Sequence, residues 1–456
     1  MRYRYRLALV SSFAVLTSLI PLPALSWTAP ETLAFTRALG SVDGRSEAVF
    51  PGLLIDHLGI SWREGEEPSI RFLANGEWTP WRIAHEDGLP RSEGRISSGL
   101  IAGDGAKAFQ VRGSISGVRA VAINTTDGPR SLVWSRPHAQ AAHLAQPSPV
   151  SRAEWGADES YRFKADGTEK WKPAFHPTTK LIVHHTVTQN ADPDPASTMR
   201  AIYRYHAIDR GYGDIAYNFL VDESGRVYKG RYSGPGGTAP DTPTGEDSRG
   251  YGVTAAHTGG WNSGTMGIAL LGTFTSVPPT PTARQALIDH LAWESERHGL
   301  DPLATTTHTN PADGKTKTVA NISGHRDWGS TACPGGVVYA DLPNIRNETA
   351  ARVGPTPEPL VPRDRRSPRI KKVSAEAKKR AAIVTWGTNE PADSQVRYKL
   401  LGKGWRRSPL KSAAREEHRV RLARLKKDRR YAYRVRSADS AGNVSWSPTR
   451  KLDTAA

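Results

Sequence analysis

The chain of 456 residues is poor in cysteine, since Cys333 is the only one. A single thiol cannot form a disulfide within the chain, so the protein is not a disulfide-stabilised scaffold. Long apolar runs are also scarce: beyond the amino terminus, no segment approaches the roughly 20 apolar residues that a membrane-spanning helix needs. The residues that follow the amino-terminal apolar segment suffice for two to four domains, which must be stabilised by ordinary hydrophobic cores.

The first residues have the pattern of an export signal. The cationic stretch "MRYRYR" precedes an apolar segment, and Ala24-Leu25-Ser26 has the small-x-small pattern of a cleavage site. We predict that residues 1–26 are a cleaved signal peptide and that the mature chain is secreted, either extracellular or associated with the cell wall. An uncleaved anchor is the alternative, but Pro21 and Pro23 would disturb a spanning helix.

Acidic residues are scarce at the carboxyl end. Residues 361–456 contain 27 Lys and Arg against 9 Asp and Glu, a net charge of +18, whereas the whole chain carries +17. A field of this kind attracts polyanions, although a basic surface is also compatible with simple solvation. Because we expect export, nucleic acid is not an expected partner. The charge favours an anionic cell-wall polymer or a membrane surface.

Composition divides the chain after the signal peptide into four further segments. Short alternating runs broken by Gly, Asn and Pro predict an all-β accessory domain at 27–142. Strand and helix patterns alternate at 148–353, and residues 354–370 are a linker rich in Pro and Arg. Alternating runs return at 371–456. The fold class is therefore multidomain, with an α/β domain flanked by two β domains.

The alternating runs of the last segment, residues 371–456, predict a β-sandwich. Its Trp386, Tyr398, Leu425 and residues 431–435 stand where a fibronectin type III domain has its core, so the segment resembles that family. The resemblance implies a spacer or binding module with no catalytic role.

The middle segment combines strands with two helices. "KLIVHHTV" predicts a short strand, "AYNFLVDESGRVYKGR" a hairpin, and the apolar run "TMGIALLGTF" a central strand. Apolar residues at helical spacing predict helices in "ASTMRAIYRYHAIDRG" and "TARQALIDHLAWESERHGL", each ended by a glycine. These elements predict a mixed sheet with helices packed on it.

The lone thiol has possible metal-binding companions. Thiolate and imidazole are preferred zinc ligands, and the "VHHT" stretch at 183–186, His325 and Cys333 supply such groups. Two imidazoles and one thiolate would leave the fourth tetrahedral position open, as in catalytic zinc sites. A buried apolar cysteine or a thiol nucleophile assisted by histidine are alternatives that the spacing leaves open.

Residues 150–345 contain five separated motifs: "SRAEWGA" at 151–157, "LIVHHT" at 181–186, "GYGDIAYNFLVDESGRVYKGR" at 211–231, "NSGTMGIALLG" at 262–272 and "GHRDWGSTACPG" at 324–335. In sequence and in order they are similar to those of the peptidoglycan recognition protein family, the zinc amidases that include the phage T7 lysozyme type.

The resemblance implies a specific site. It assigns zinc to His184, His325 and Cys333, and Tyr217 to the family's active-site tyrosine. Neighbouring strand residues point to opposite faces, so only one of the two adjacent histidines is expected to bind the ion. Thr331 occupies a position at which some relatives have lysine, and we predict a catalytic role for it beside Tyr217.

The implied activity is that of a zinc-dependent N-acetylmuramoyl-L-alanine amidase. It would hydrolyse the amide between the lactyl group of N-acetylmuramic acid and L-alanine in bacterial peptidoglycan. A non-catalytic peptidoglycan-binding protein and a stem-peptide peptidase are the alternatives. "GIALLG" lacks the glutamate that some relatives have there, so no proton donor is assigned. We expect a monomer without a nucleotide cofactor.

Further residues fall in segments that line the substrate cleft of the family. They are His206, His257, Trp261 and Asn262, for which we predict substrate binding. A helix residue facing the sheet is the alternative for His206, and a loop anchor for Trp261.

Overall fold

The structure is a computed structural model. It describes residues 24–130, 132–135, 148–237, 239–353, 366–439 and 443–456; for 24–27, 132–135 and 412–414 only the backbone is described. Most of the predicted signal peptide therefore lies outside the described residues, as does most of the predicted Pro/Arg linker. No helix among the described residues is long and apolar enough to cross a membrane.

The amino-terminal domain is built from strands throughout its described residues, as predicted. They are β1 Ala24–Trp27, β2 Leu33–Arg45, β3 Ile55–Trp62, β4 Glu64–Gly65, β5 Ser69–Ala74, β6 Glu77–Trp78, β7 Arg82–Ile83, β8 Ile96–Ser97, β9 Ile101–Ala106, β10 Ala108–Asn124 and β11 Leu132–Ser135. β1 pairs with β11, and the other nine form one sheet around the long β10. Alternating apolar residues, among them Ile60, Trp62, Phe72 and Phe109, fill its core.

The middle domain has a mixed five-stranded sheet. The strands of the domain are β12 Phe175–His176, β13 Lys180–His185, β14 Phe219–Val221, β15 Val227–Lys229, β16 Gly252–Val253, β17 Thr265–Leu270, β18 Thr305–Thr309, β19 Thr316–Ala320 and β20 Ile322–Gly324. The order in the five-stranded sheet is β15-β14-β17-β13-β20, while β12 pairs with β16 and β18 pairs with β19 outside it. The fully buried β17 is central and parallel to both neighbours, as its apolar run predicts.

Three helices cover this sheet. α1 Pro195–Arg204 continues into a π-helical turn at Tyr205–Asp209, and α2 Pro281–His298 ends at the left-handed Gly299. α3 Gly336–Val353 was not predicted. The hydrophobic cluster that contains α1 includes amino-terminal residues, whereas α2 and α3 share a second cluster with the strands.

The amino-terminal domain packs directly on α1. Leu89, Leu100, Val121 and Ile123 belong to the same buried apolar cluster as the α1 residues. Polar contacts surround this cluster: His57 Nε2 lies 3.0 Å from the Thr198 hydroxyl, and Arg200 donates to the Thr125 carbonyl at 3.1 Å. The two domains therefore share a continuous core rather than a thin polar contact.

The carboxy-terminal domain consists of strands in its described residues. They are β21 Lys371–Lys378, β22 Ala381–Leu400, β23 Arg406–Arg407, β24 Lys411–Leu422, β25 Arg430–Ala438, β26 Val444–Trp446 and β27 Arg450–Asp453. The first half of β22 pairs with β21 and β24, and its second half pairs with β23 and β25. The predicted core residues Trp386, Leu425 and Val435 are buried, and Tyr398 packs against them.

Candidate metal centre

The three predicted metal ligands come together beside the carboxyl end of β13. His184 lies on β13, His325 follows β20 in a short 3-10 turn, and Cys333 precedes α3. One ligand atom from each lies within 4.8 Å of the others. All three side chains are buried, at 0%, 4% and 2% exposure respectively. β13 and β20 are adjacent and parallel, so their carboxyl ends deliver the two histidines to the same edge.

The geometry and chemistry of these donors fit zinc. Cys333 Sγ lies 3.6 Å from His184 Nδ1. Ordinary Zn–S and Zn–N distances in a tetrahedron place such atoms ~3.6 Å apart. His325 Nδ1 is buried without a hydrogen-bond partner, although a buried polar atom ordinarily has one. A bound cation would satisfy that nitrogen.

Burial also favours the uncharged form of all three side chains. It lowers the pKa of His325 to about 4 and that of His184 well below its usual value, to which the neighbouring His325 contributes. Both imidazoles are therefore neutral near pH 7 and able to ligate a metal. Burial raises the pKa of the Cys333 thiol to about 12. A divalent cation at the site would stabilise the thiolate and reverse that shift.

His185 faces away from this group. It neighbours His184 on β13, and its Nδ1 accepts a hydrogen bond from the Phe274 amide at 3.2 Å. Its contacts with the Cys333 sulfur are made by the backbone, through the amide at 3.4 Å and the carbonyl oxygen at 3.8 Å. The alternation of side chains along the strand thus separates the two adjacent histidines, as predicted.

His257 lies inside the protein rather than on an open groove wall. It is 0% exposed, and its Nδ1 lies 3.0 Å from His184 Nε2, within hydrogen-bonding distance. Gly267 on β17 makes this position available, because any side chain there would collide with the His257 ring. His257 therefore orients His184 from behind, as partners of metal-binding histidines commonly do. Substrate binding was the role predicted for His257, and this contact with His184 was not predicted.

Tyr217 lies beside the metal-binding group. Its ring centroid is 5.4 Å from that of His184, and the side chain is 1% exposed. Burial raises the pKa of the Tyr217 hydroxyl well above its usual value, so it remains protonated and able to donate. His206 is also buried, with its ring 5.9 Å from Tyr217 and its Nδ1 accepting from the Ala216 amide. It is not on an exposed groove wall in this structure.

A buried ion-pair network holds the turn that leads to Tyr217. The Asp214 carboxylate, which is 0% exposed, accepts from Arg152 at 3.0 Å and from Arg231 at 2.6 Å. It also accepts from the Ile215 and Tyr232 amides. Removing this carboxylate would leave two buried guanidinium groups without their shared counter-charge, which is strongly destabilising. The network therefore fixes the turn that precedes β14. Asp214 lies in the quoted motif at 211–231, but no role was predicted for it.

The other predicted site residues are less deeply buried. Thr331 is half-buried, and its hydroxyl accepts from the Cys333 amide at 3.2 Å. Trp261 packs its ring against Trp328, with centroids 5.6 Å apart, and the side-chain Oδ1 of Asn262 accepts from the Thr258 amide at 2.7 Å. Thr331 therefore adjoins the metal-binding group directly, whereas Trp261 and Asn262 belong to a loop beside it.

A second group of potential ligands lies elsewhere among the described residues. Glu246, Glu294 and His298 place donor atoms within 4.8 Å of one another. Here Arg297 donates to Glu246 at 2.6 Å, and His298 Nε2 lies within 3.2 Å of both carboxylates. Arg297 already supplies a positive charge to this group, which makes it a weaker candidate for a cation site than the group around Cys333.

The two adjacent histidines provide a matched test of the metal assignment. We expect His184→Ala to lose one equivalent of zinc relative to the unmodified chain, because it removes a ligand. His185→Gln keeps an acceptor for the Phe274 amide and should retain all of the zinc. Elemental analysis after dialysis against buffered zinc measures both. Equal zinc loss in the two variants, or none in His184→Ala, would contradict the assignment.

Comparisons with known proteins identify relatives of the middle domain. Residues 174–336 match the family model described as N-acetylmuramoyl-L-alanine amidase. A protein of that name from Homo sapiens is 31% identical over 236 residues, which are 50% of this chain and 33% of the human protein. Peptidoglycan-recognition protein LB of Drosophila melanogaster is 26% identical over 244 residues, 51% of this chain and 87% of the fly protein. The chain thus spans about a third of the human relative.

Solved structures of similar proteins cover the same region. The wild-type Drosophila PGRP-LB structure has a TM-score of 0.30 at 24% identity, covering 42% of this chain and 90% of that one. At the carboxyl end, residues 368–454 match a model described as the purple acid phosphatase N-terminal domain. This is a different domain from fibronectin type III, whose predicted resemblance is therefore not shown, although the β-rich architecture is. Residues 174–336 are therefore similar to N-acetylmuramoyl-L-alanine amidase domains and to peptidoglycan recognition proteins.

Proposed function

We propose that the protein is a zinc-dependent N-acetylmuramoyl-L-alanine amidase that cleaves the bond between the lactyl group of N-acetylmuramic acid and L-alanine. One observation carries the proposal: His184, His325 and Cys333 form a three-donor group with Tyr217 beside it. Three protein ligands are typical of catalytic zinc, whereas structural zinc has four. The family match at 174–336 supports the choice of an amide bond in peptidoglycan.

The chain's own residues have distinct tasks in this reaction. Zinc, when bound, supplies a Lewis acid and activates water. His257 holds the His184 ring in place. The protonated Tyr217 hydroxyl and the Thr331 hydroxyl donate hydrogen bonds to the charge that develops on the scissile carbonyl oxygen. Neutral imidazoles keep the ligands available at neutral pH.

Digestion of purified peptidoglycan tests the bond and the residues together. We expect mass spectrometry to find free stem peptides beginning with L-alanine. Cys333→Ser should be folded but inactive, because it loses a metal ligand. Tyr217→Phe should keep zinc while kcat falls about 10²- to 10³-fold, as for loss of one oxyanion donor.

The same digestion separates the alternatives. Cleavage inside the stem peptide would indicate a peptidase, and binding without products would indicate a recognition protein. Activity that survives complete zinc removal would indicate that the Cys333 thiol itself is the nucleophile, and would contradict the proposed mechanism.

We further propose that the protein is exported and that its basic carboxy-terminal domain binds anionic cell-wall polymers. Support comes from one face of this domain. Arg397 on β22 lies directly opposite Arg434 on β25, and like charges in such pairs are destabilising unless a counter-charge is present. Arg397, Lys399 and Arg434 surround the Trp405 ring at 5.3, 5.0 and 5.6 Å from its centroid. Within the described residues these three cations form no ion pair.

Charge removal on this face tests the attachment. We expect the triple substitution Arg397→Ser, Lys399→Ser and Arg434→Ser to weaken sedimentation with purified cell walls and to flatten its dependence on salt. The control removes equal charge elsewhere in the domain, through Lys371→Ser, Lys378→Ser and Lys379→Ser. Equal loss in both triple variants, or binding that is insensitive to salt, would contradict a specific face.

A further inference from the structure

A loop of the amino-terminal domain lies across the candidate metal centre. This covering loop comprises residues 84–95, which connect β7 to β8. Its Gly88 approaches the site so closely that a Cβ atom there would overlap the Thr331 hydroxyl and lie 3.7 Å from Cys333 Cβ. A Cβ at Gly259, in the loop that holds Trp261, would lie 3.4 Å from Pro90. The covering loop therefore contacts the site from two sides.

The middle domain holds this loop through hydrogen-bond donors of the kind that bind a carboxylate-bearing peptide. Arg210, which is buried, donates through Nη1 to the Asp87 carboxylate and through Nη2 to the Pro90 carbonyl at 2.8 Å. The Tyr212 hydroxyl donates to the same Pro90 carbonyl. The Ser92 hydroxyl donates in the other direction, to the Arg210 carbonyl at 2.5 Å.

These contacts have the chemistry of ligand recognition. A guanidinium paired with a carboxylate, next to donors aimed at a peptide carbonyl, is a common way to bind an acidic peptide. Here both acceptors come from the covering loop. Asp87 is itself 3% exposed, so its carboxylate is inserted into the middle domain rather than placed at its surface.

We propose that residues Asp87 to Pro90 act as an internal ligand, occupying a cleft subsite whose recognition groups are Arg210 and Tyr212 and whose external ligand is a carboxylate-bearing peptide. Peptidoglycan must then displace the covering loop before it reaches the metal centre. The inference rests on the proposed amidase function for the identity of the peptide, but the covering itself does not depend on that function.

The loop must move, whereas the domain interface need not. Further interdomain contacts lie on α1, where His57 meets Thr198, and on the π-helical turn, where the Tyr205 hydroxyl donates to the Ile60 carbonyl. These contacts do not involve residues 84–95. Displacing the loop costs the Asp87–Arg210 ion pair and removes Leu89 from the shared core, while Val121 and Ile123 on β10 still contribute to it.

The single cysteine offers a direct test of covering. In the metal-free full-length chain, Cys333 is the only thiol, so its rate of modification by a disulfide reagent reports access to this one site. Gly88→Ala should raise that rate at least tenfold, because the new methyl group displaces the loop from Thr331 without changing any charge. Gly94→Ala is the matched control, since Gly94 has a similar positive φ of 71° but nothing within 4 Å.

A second pair of variants tests the ion pair. Asp87→Ala should also raise the modification rate at least tenfold, whereas Glu86→Ala, on the exposed neighbour, should leave it within twofold. Circular dichroism establishes that each variant is folded. A wild-type thiol as reactive as that of the unfolded chain, unchanged rates in both Gly88→Ala and Asp87→Ala, or equal rises in the controls would overturn the covering.

The subsite is tested by binding rather than turnover. The probes are a muramyl tripeptide with a free terminal carboxylate and the same molecule as its carboxamide, measured by calorimetry with metal-free protein. Asp87→Ala should bind the free acid roughly tenfold more tightly than the amide, as one charged hydrogen-bonded pair allows. The double variant Asp87→Ala with Arg210→Ala should discriminate less than twofold.

The two arms separate the possible failures. Equal affinity for acid and amide in Asp87→Ala would overturn the subsite, as would discrimination that persists without Arg210. If neither probe binds to any variant while the thiol rates follow the expected pattern, the covering stands and the subsite and the proposed substrate are both contradicted.

Discussion

The account depends on the approach of one sulfur atom to two neutral imidazoles inside the middle domain. Cys333, His184 and His325 are nearly inaccessible to solvent, so each group is in its uncharged form without a metal. The neutral imidazoles can bind a metal ion as they are. The thiol must first lose its proton, and a bound cation favours that loss. The site therefore links metal binding to the ionisation of a single residue.

The rest of the middle domain serves to hold those three groups. Parallel pairing of β13 with β20 brings the two histidines to the same sheet edge, and β17 provides Gly267, against which His257 packs to orient His184. The Asp214 network then fixes the start of β14 and hence Tyr217. Rigid sheet and loop contacts of this kind place catalytic groups more accurately than loops alone.

The sequence was most informative where chemistry is local. The apolar run of β17, the hairpin of β14 and β15, and the glycine that ends α2 were predictable because each has a residue pattern of its own. Helix α3 was not, since it begins at Gly336 and contains Pro343, both of which oppose a helix. The ligand set came from family motifs, because His184 and Cys333 are 149 residues apart and spacing alone left alternatives.

Contacts between the domains could not be predicted from the sequence. The covering loop "AHEDGLPRSEGR" has the composition of an exposed turn, and nothing in it indicates that Asp87 is buried against Arg210. Within the middle domain, the burial of His257 was equally unpredictable, because it depends on the absence of a side chain at Gly267 on β17. Positions of this kind follow from the packing of distant segments, which local patterns do not encode.

X-ray absorption at the zinc edge of the zinc-loaded full-length chain tests the central claim most directly. The account predicts one sulfur at ~2.3 Å and two imidazole nitrogens at ~2.0–2.1 Å, with one further light-atom ligand. A zinc ion surrounded only by nitrogen and oxygen would contradict it, because Cys333 would then lie outside the coordination sphere.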